Sequence, residues 1–348
     1  MNRALRRALA VAAVVLAGLP SALAFADQRL HGMTVTCFRW GPGEWDGPHM
    51  AGTLDRLSEL GVNSVALHPY GRISGTGAVR HSPGVQDPSL LVPAEQLAER
   101  GMTLMVKPHI AYWGSPWGWR GEIEFDNEAD WRRFFADYKD FIVHQARIAE
   151  RAGAAWFAVG TELELTTHRP EWGPIIDAVR AEFTGRLTYA ANWNTVDRVP
   201  FWDRLDAVGV QFYFPISEAA SPTDAQLRAG FEAALDGMLA EAARLDRPLL
   251  LTELGYPSHL TAAARPWDDS GPDTEPGFAL AQRCLSVALS AIDRSRDERL
   301  LGVYLWKWFP TPRVVRREFA LQYPQAEAVI AEHWAAPAPM PASAAAER

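Results

Sequence analysis

The segment Trp156-Phe157-Ala158-Val159-Gly160-Thr161-Glu162 decides the fold. It is a short apolar run with bulky Phe157 and Val159 on one parity and small Ala158 and Gly160 on the other, and the small parity ends in an acid, Glu162. Side chains of a strand alternate between two faces, so the pattern fits a strand buried on both sides: large residues under a helix layer, small ones in a crowded interior. The signature recurs along the chain. Ser64, Ala66 and His68 share a parity, as do Thr188, Ala190 and Asn192, then Gly209, Gln211 and Tyr213, then Gly302, Tyr304 and Trp306; Val65 and Leu67, Val208 and Val210, and Val303 and Leu305 hold the opposite one.

Eight runs read as strands: 33–38, 64–68, 103–107, 156–160, 187–192, 207–211, 249–252 and 302–306. Helical periodicity fills 130–151, 171–183, 224–245 and 278–294, with shorter pieces at 49–60 and 93–100. Alternating strands and helices imply a parallel sheet. Eight such units in about 300 residues fit a closed (β/α)₈ TIM barrel, an α/β fold, as a single domain over residues 27–334. An open dinucleotide-binding sheet is disfavoured because no glycine-rich turn follows the first strand. The weak point is the interval between the fifth and sixth strands, where only 199–206 is available for a helix. Segments 71–91, 111–128 and 257–276 carry no readable pattern.

At the start of the chain, Arg3, Arg6 and Arg7 precede an apolar run over 8–19, and small residues at 22, 24 and 26 offer a cleavage site. Residues 1–26 are therefore expected to be a secretory signal peptide, too short in its apolar run to span a bilayer. The mature protein is expected to be secreted or periplasmic, with no membrane partner after cleavage. Residues 335–348, rich in Ala and Pro, are expected to be a disordered tail. The formal charge of −8 argues against a nucleic-acid partner. Cys37 and Cys284 are the two cysteines, expected as buried thiols rather than a bridge. A monomer is the expectation for the assembly.

In a TIM barrel the functional groups come from the carboxyl ends of the strands. His68, His109, Glu162, Asn192, Tyr213, Glu253 and Trp306 then converge on one mouth. Acids occur there at two places, Glu162 (with Glu164 just beyond it) and Glu253. Two carboxylates across a mouth are what cleavage of a glycosidic bond needs, one to protonate the leaving oxygen and one to attack or to activate water. Lys107, Lys307 or Arg39 could instead hold these acids in structural ion pairs. His68 and His109 could bind a metal, but a His-x-His pair at the first strand is lacking, so no metal or other cofactor is expected.

Tryptophan is abundant, 14 residues, and nine of them (40, 45, 113, 117, 119, 193, 267, 306 and 308) fall at strand ends or in the loops after them. Pyranose C–H faces pack on flat aromatics while hydroxyl edges take hydrogen bonds, so a Trp-rich mouth beside two carboxylates reads as a carbohydrate site. The substrate-binding set is accordingly Trp306, Tyr213, Asn192, His109, Lys107, His68, Trp113, Trp193, Trp267, Trp308 and Arg39. The rival readings are a noncatalytic sugar-binding barrel and a metal hydrolase.

Six ordered blocks carry a family resemblance: Val159-Gly160-Thr161-Glu162-Leu163; Leu187 to Trp193; Phe201-Trp202-Asp203 with Leu205-Asp206; Gln211-Phe212-Tyr213-Phe214-Pro215; Thr252-Glu253-Leu254-Gly255-Tyr256; and Trp306-Lys307-Trp308. Together they resemble glycoside hydrolase family 113, within clan A, over nearly the whole mature chain. The resemblance implies a (β/α)₈ barrel, retaining β-1,4-mannanase activity on a poly- or oligosaccharide, Glu162 as general acid/base and Glu253 as nucleophile. It further implies that Tyr213 lies near the nucleophile and that Trp306 floors the subsite of the sugar to be cleaved. One departure from the clan is Thr161, where many members carry Asn before the acid/base. Asn192 or His109 would then supply the contact to the sugar 2-hydroxyl.

Overall fold

The structure, a computed structural model, describes residues 29–38, 42–84 and 87–335. The expected leader, Arg39, Trp40 and the tail beyond residue 335 lie outside the described residues. In chain order the elements are β1 (Leu30–Val35), α1 (Met50–Glu59), β2 (Ser64–Leu67), β3 (Tyr70–Ile73), β4 (Val79–Arg80), α2 (Pro88–Glu99), β5 (Thr103–Val106), β6 (His109–Ala111) and α3 (Glu128–Arg151). There follow β7 (Trp156–Thr161), α4 (Trp172–Glu182), β8 (Arg186–Asn192), β9 (Ala207–Gln211), α5 (Asp224–Arg244), β10 (Leu249–Leu254), α6 (Glu275–Arg294), β11 (Leu300–Trp308) and α7 (Pro324–Trp334).

Strands β1, β2, β5, β7, β8, β9, β10 and β11 pair in parallel in that order, and β11 closes on β1, so the eight expected strands form a closed barrel. Between β8 and β9 the described chain makes only 3₁₀ turns, Val196–Arg198 and Trp202–Arg204, where a helix was hardest to find in the sequence. Helix α2 begins five residues earlier than expected, with Pro88 in its first turn, where a missing N–H costs nothing. The longest helices, α3, α5 and α6, carry side-chain caps at their starts. Asn127 accepts from the Asp130 N–H at 3.0 Å, and Thr223 with Gln226 forms a capping box at α5. Gly61 and Gly153, at φ of 81° and 62°, turn the chain out of α1 and α3 in the left-handed region.

The alternation seen in the sequence separates two cores. Ala66, Met105, Trp156, Ala158, Ala207, Leu250 and Tyr304 fill the lumen, while Val65, Leu67, Phe157, Val159, Val208, Val210, Val303 and Leu305 join the larger core beneath the helices. Tyr304 enters the lumen because Gly32 lacks a Cβ that would overlap its ring, and its Oη meets Ser64 Oγ at 2.8 Å. The lumen is thus plugged at its amino-terminal end, and the open end is the carboxyl-terminal mouth.

Strict alternation breaks at three places near that mouth, and each break re-aims a side chain. The β7–β8 register shifts between Ala158 and Thr161. Val159 belongs to the outer core, and a Cβ on Gly160 would lie 2.8 Å from the Trp172 and Tyr189 rings, so Gly160 faces the helix layer too, contrary to its expected parity. The β9–β10 register shifts between Leu251 and Glu253, which brings Glu253 inward although Leu251, two residues before it, faces out. In the β1–β11 pair, Thr34 is opposite Trp306 and Val35 opposite Trp308, so Lys307 is the extra residue of a bulge. Trp308 is thereby turned into the outer core at 2% exposure; the expectation that it touches substrate is corrected by this bulge.

A second, three-stranded sheet, β4-β3-β6, stands above the mouth, with β4 and most of β3 in a segment that showed no pattern in sequence. Val79, Ile73 and Ile110 are buried on its inner side, and Gly71 lets the sheet approach Phe141 of α3.

Alanine at position 160 should cost about 1–3 kcal/mol of stability, because the added methyl has to displace the Trp172 and Tyr189 rings. Denaturant unfolding of Gly160→Ala measures this, and an unchanged midpoint would contradict the outward placement.

Candidate active site

Glu253, 4% exposed, sits at the end of β10 with both oxygens engaged. The Lys107 ammonium, fully buried at the end of β5, donates to Oε1 and also to the Thr252 carbonyl at 3.1 Å. Tyr213 Oη donates to Oε2 at 2.7 Å. Burial pulls the Lys107 ammonium below the ordinary lysine range, and the Glu253 carboxylate pushes back. Burial and the negative charge of Glu253 push the Tyr213 phenol well above its ordinary value, so it remains a donor. The carboxylate is therefore fixed in position and turned toward the cavity between a cation and a phenol.

Two imidazoles complete this side. His109 Nε2 is 3.9 Å from Glu253 Oε1, and the His109 and His68 rings stack with centroids 4.8 Å apart. Burial, and after it the positive charges of Arg120 and Lys107, hold both well below the usual histidine range, so both rings are neutral. Among the described residues their ring nitrogens have no hydrogen-bond partner. His109 lines the cavity and can offer that capacity to a hydroxyl; His68 lies beneath it, against Trp306, and supports rather than lines the site. Among the described residues no group of three or more His, Cys, Asp or Glu side chains is placed to hold a metal ion.

Glu162 faces Glu253 from the end of β7. Its backbone adopts φ +53°, a left-handed conformation that is rare for a residue with a side chain, and its N–H remains tied to the Ala190 carbonyl at 2.9 Å. Arg120 Nη1 at 2.8 Å and Trp119 Nε1 at 3.2 Å both donate to Glu162 Oε2. Arg120 is itself anchored through Nε to the Ile110 carbonyl at 3.1 Å. Among the described residues nothing donates to Oε1. Thr161 hydrogen-bonds the Pro108 carbonyl at 3.1 Å, so its hydroxyl braces the backbone. Glu164 lies outward in a 3₁₀ turn and pairs with Arg198 at 3.3 Å, a rim position as expected.

One cavity of about 770 Å³ contains Glu162, Glu253, Tyr213, Asn192, His109, Trp113, Trp193, Trp267 and Trp306 among its walls. Trp306 lies between two ammonium groups, Lys107 and Lys307, each 5.5 Å from its ring centroid. Trp193 and Trp267 stack at 5.4 Å and 24°, forming a flat wall on the rim. Lys307 pairs with Glu318 at 2.8 Å rather than with either candidate acid. Trp45 is sealed in the core against His68, and Trp117 packs on Phe125, away from the cavity. Cys37 lines the cavity and Cys284 is buried, its thiol pushed up to about 12 by burial; neither is in a disulfide.

Sequence reasoning missed Trp119 and Arg120 as partners of Glu162, and Tyr70 as a wall of the cavity. No local signal marks them. Trp119 and Arg120 stand in an irregular loop and a 3₁₀ turn, where neither period applies, and Tyr70 opens a four-residue strand defined by its pairing with β6 and β4.

A plugged parallel barrel with two acids facing one aromatic cavity at its carboxyl-terminal mouth defines a (β/α)₈ glycoside hydrolase. The sequence matches the family model of Glycoside Hydrolase Family 113 over residues 35–320, and the chain belongs to that family. Among solved structures it is similar to the GH113 β-mannanase AaManA from Alicyclobacillus acidocaldarius in complex with ManMIm, at 26% identity and a TM-score of 0.77, covering 89% of this chain and 98% of that one. A GH113 β-1,4-mannanase shares the fold at 21% identity and a TM-score of 0.77, covering 88% of this chain and 99% of that one. A family 5 mannosidase from Rhizomucor miehei shares it at 12% and 0.59, covering 88% and 92%. A comparison with curated protein sequences finds no match.

Removing the cation under Glu253 should be costly. Lys107→Met leaves a buried carboxylate without its partner, so stability should fall by about 3–5 kcal/mol and glycoside hydrolysis with it. In the unmodified protein the ammonium is present below its lowered pKa and lost above it, so kcat/KM should decline on the alkaline side before pH 10.5 is reached. A pH–rate profile flat through that range would contradict this role for Lys107.

Proposed function

We propose that the protein is a retaining glycosidase that cleaves β-1,4-mannan or a related β-glycan by double displacement. The observation that carries the reading is the unequal setting of the two acids. Glu253 is clamped at both oxygens, as suits a nucleophile whose position and charge must not vary, whereas Glu162 is held at Oε2 alone and keeps Oε1 for a proton. In the first step Glu253 attacks the anomeric carbon while Glu162 gives its proton to the departing oxygen, forming a glycosyl-enzyme ester and releasing the aglycone. In the second, Glu162 takes a proton from water, which attacks the same carbon and restores Glu253. Arg120 and Trp119 hold Glu162 in one orientation through both steps. Trp306 supplies the floor for the sugar being cleaved, and Asn192 and His109 are among the polar groups that face its hydroxyls. The β-mannanases among the similar structures support mannan as the first substrate to try.

The double displacement needs the two carboxyl groups about 5–5.5 Å apart, against roughly 6.5–9.5 Å for inversion. Proton NMR of the first-formed sugar from β-mannan decides between them: retention of the β-anomer is expected, and the α-anomer would overturn the mechanism. Glu162→Gln should lose about 10²–10⁴-fold in kcat on mannan, and much less for formation of the glycosyl-enzyme from aryl glycosides whose leaving groups need no proton. Equal losses on both substrates would remove Glu162 from the acid role.

A further inference from the structure

The small sheet over the mouth presents a basic ledge that the cleavage reaction does not use. Its cross-strand partners place Tyr70 beside His109 and Arg72 beside Ala111, and Arg72 faces Arg80 across the antiparallel β3–β4 pair. Two like charges directly opposite one another on a ladder are destabilising, and a chain of net charge −8 has ample acid to neutralise them. It does not do so. Both arginines are exposed; Arg72 donates to the Trp113 carbonyl at 3.3 Å, and neither has a carboxylate partner among the described residues. Acids on neighbouring elements are engaged elsewhere, Asp87 with His144 at 2.9 Å and Asp137 with the Val79 N–H at 3.1 Å.

This ledge lines a hollow of about 240 Å³, and two of its walls, Tyr70 and Trp113, are also walls of the active-site cavity. His81 lines the hollow as well, and its Nδ1 is buried with no partner among the described residues. From His109, beside Glu253, the route to Arg80 crosses two strand spacings and two residues, roughly 12 Å. A chain bound at the two acids and running over Tyr70 and Trp113 would reach the paired guanidinium groups. Ala111, the small residue beside Arg72 on β6, leaves room for it.

We propose that this ledge is an outer subsite for a sugar carboxylate, so that the substrate class is an acidic β-glycan carrying uronate residues. The inference rests on the glycosidase reading above and narrows its substrate. Guanidinium forks match carboxylates in geometry, and an occupying carboxylate relieves the Arg72–Arg80 repulsion.

The test is calorimetric titration of the Glu253→Gln protein, which cannot form the ester, with mannohexaose and with β-1,4-linked hexamannuronate. At low salt the uronate should bind about tenfold tighter than the neutral oligomer. That ratio should fall towards unity in an added Arg72→Gln/Arg80→Gln background, and likewise at high salt in the parent. Equal affinities in the parent, or a preference that survives loss of both arginines, would overturn the ledge. Tighter, arginine-dependent binding of a sulfated manno-oligosaccharide would overturn the carboxylate assignment. If wild type hydrolyses β-mannan and the two oligomers bind alike, only the ledge fails; if neither oligomer binds and no mannan is cleaved, the glycan reading falls with it.

Discussion

The site depends on one buried charge pair, Lys107 with Glu253. Each group alone would be expensive to take out of water, and neither is near the surface. Their pairing makes the burial tolerable, and Tyr213 takes the remaining carboxylate oxygen. Much of the barrel's centre follows from it. Gln211 and Thr252, both fully buried, form a polar layer around the ammonium, with Gln211 Oε1 accepting from Thr252 Oγ1 at 2.8 Å. Neutral His68 and His109 cover it from the side, where protonated rings would add repulsion to an already positive centre.

Above that layer the barrel departs from regularity where chemistry is required. Bulges in β7, β10 and β11 each shift the alternation by a residue: Glu253 is brought inward to the space that Glu162 and Trp306 also line, while Gly160 and Trp308 are sent outward. A perfectly regular barrel would have turned Glu253 toward the helices. The cost is a locally broken ladder, borne by strands that are paired on both sides and so have no free edge to fray.

Much of the fold was legible because it is written in a two-residue period. Phe157 against Ala158, or Val303 against Tyr304, is enough to say which side is lumen, and five repeats of that contrast within eight alternating strand–helix units point to closure. Positions of the acids at strand ends were equally readable. What failed to show were features with no period of their own. The Trp308 prediction failed because a bulge is invisible to counting, and Arg120 was overlooked because its loop acquires meaning only when Glu162 is beside it. Strands β3 and β4 are too short to announce themselves and are stabilised by α3 beneath them. The family resemblance assigned roles to Glu162 and Glu253 and put Tyr213 near the latter, but it was silent on Lys107, Arg120 and Trp119 as the groups that hold them.

The left-handed backbone at Glu162 has a consequence for what this position tolerates. Holding a side-chain-bearing residue there costs on the order of 1–3 kcal/mol, a cost that glycine escapes and asparagine lessens. The backbone alone would therefore favour replacement of the acid, while the Arg120 and Trp119 donors that the acid satisfies oppose it. Position 162 is thus a point where backbone conformation and side-chain partners pull in opposite directions, so a substitution there reads out the balance between the two.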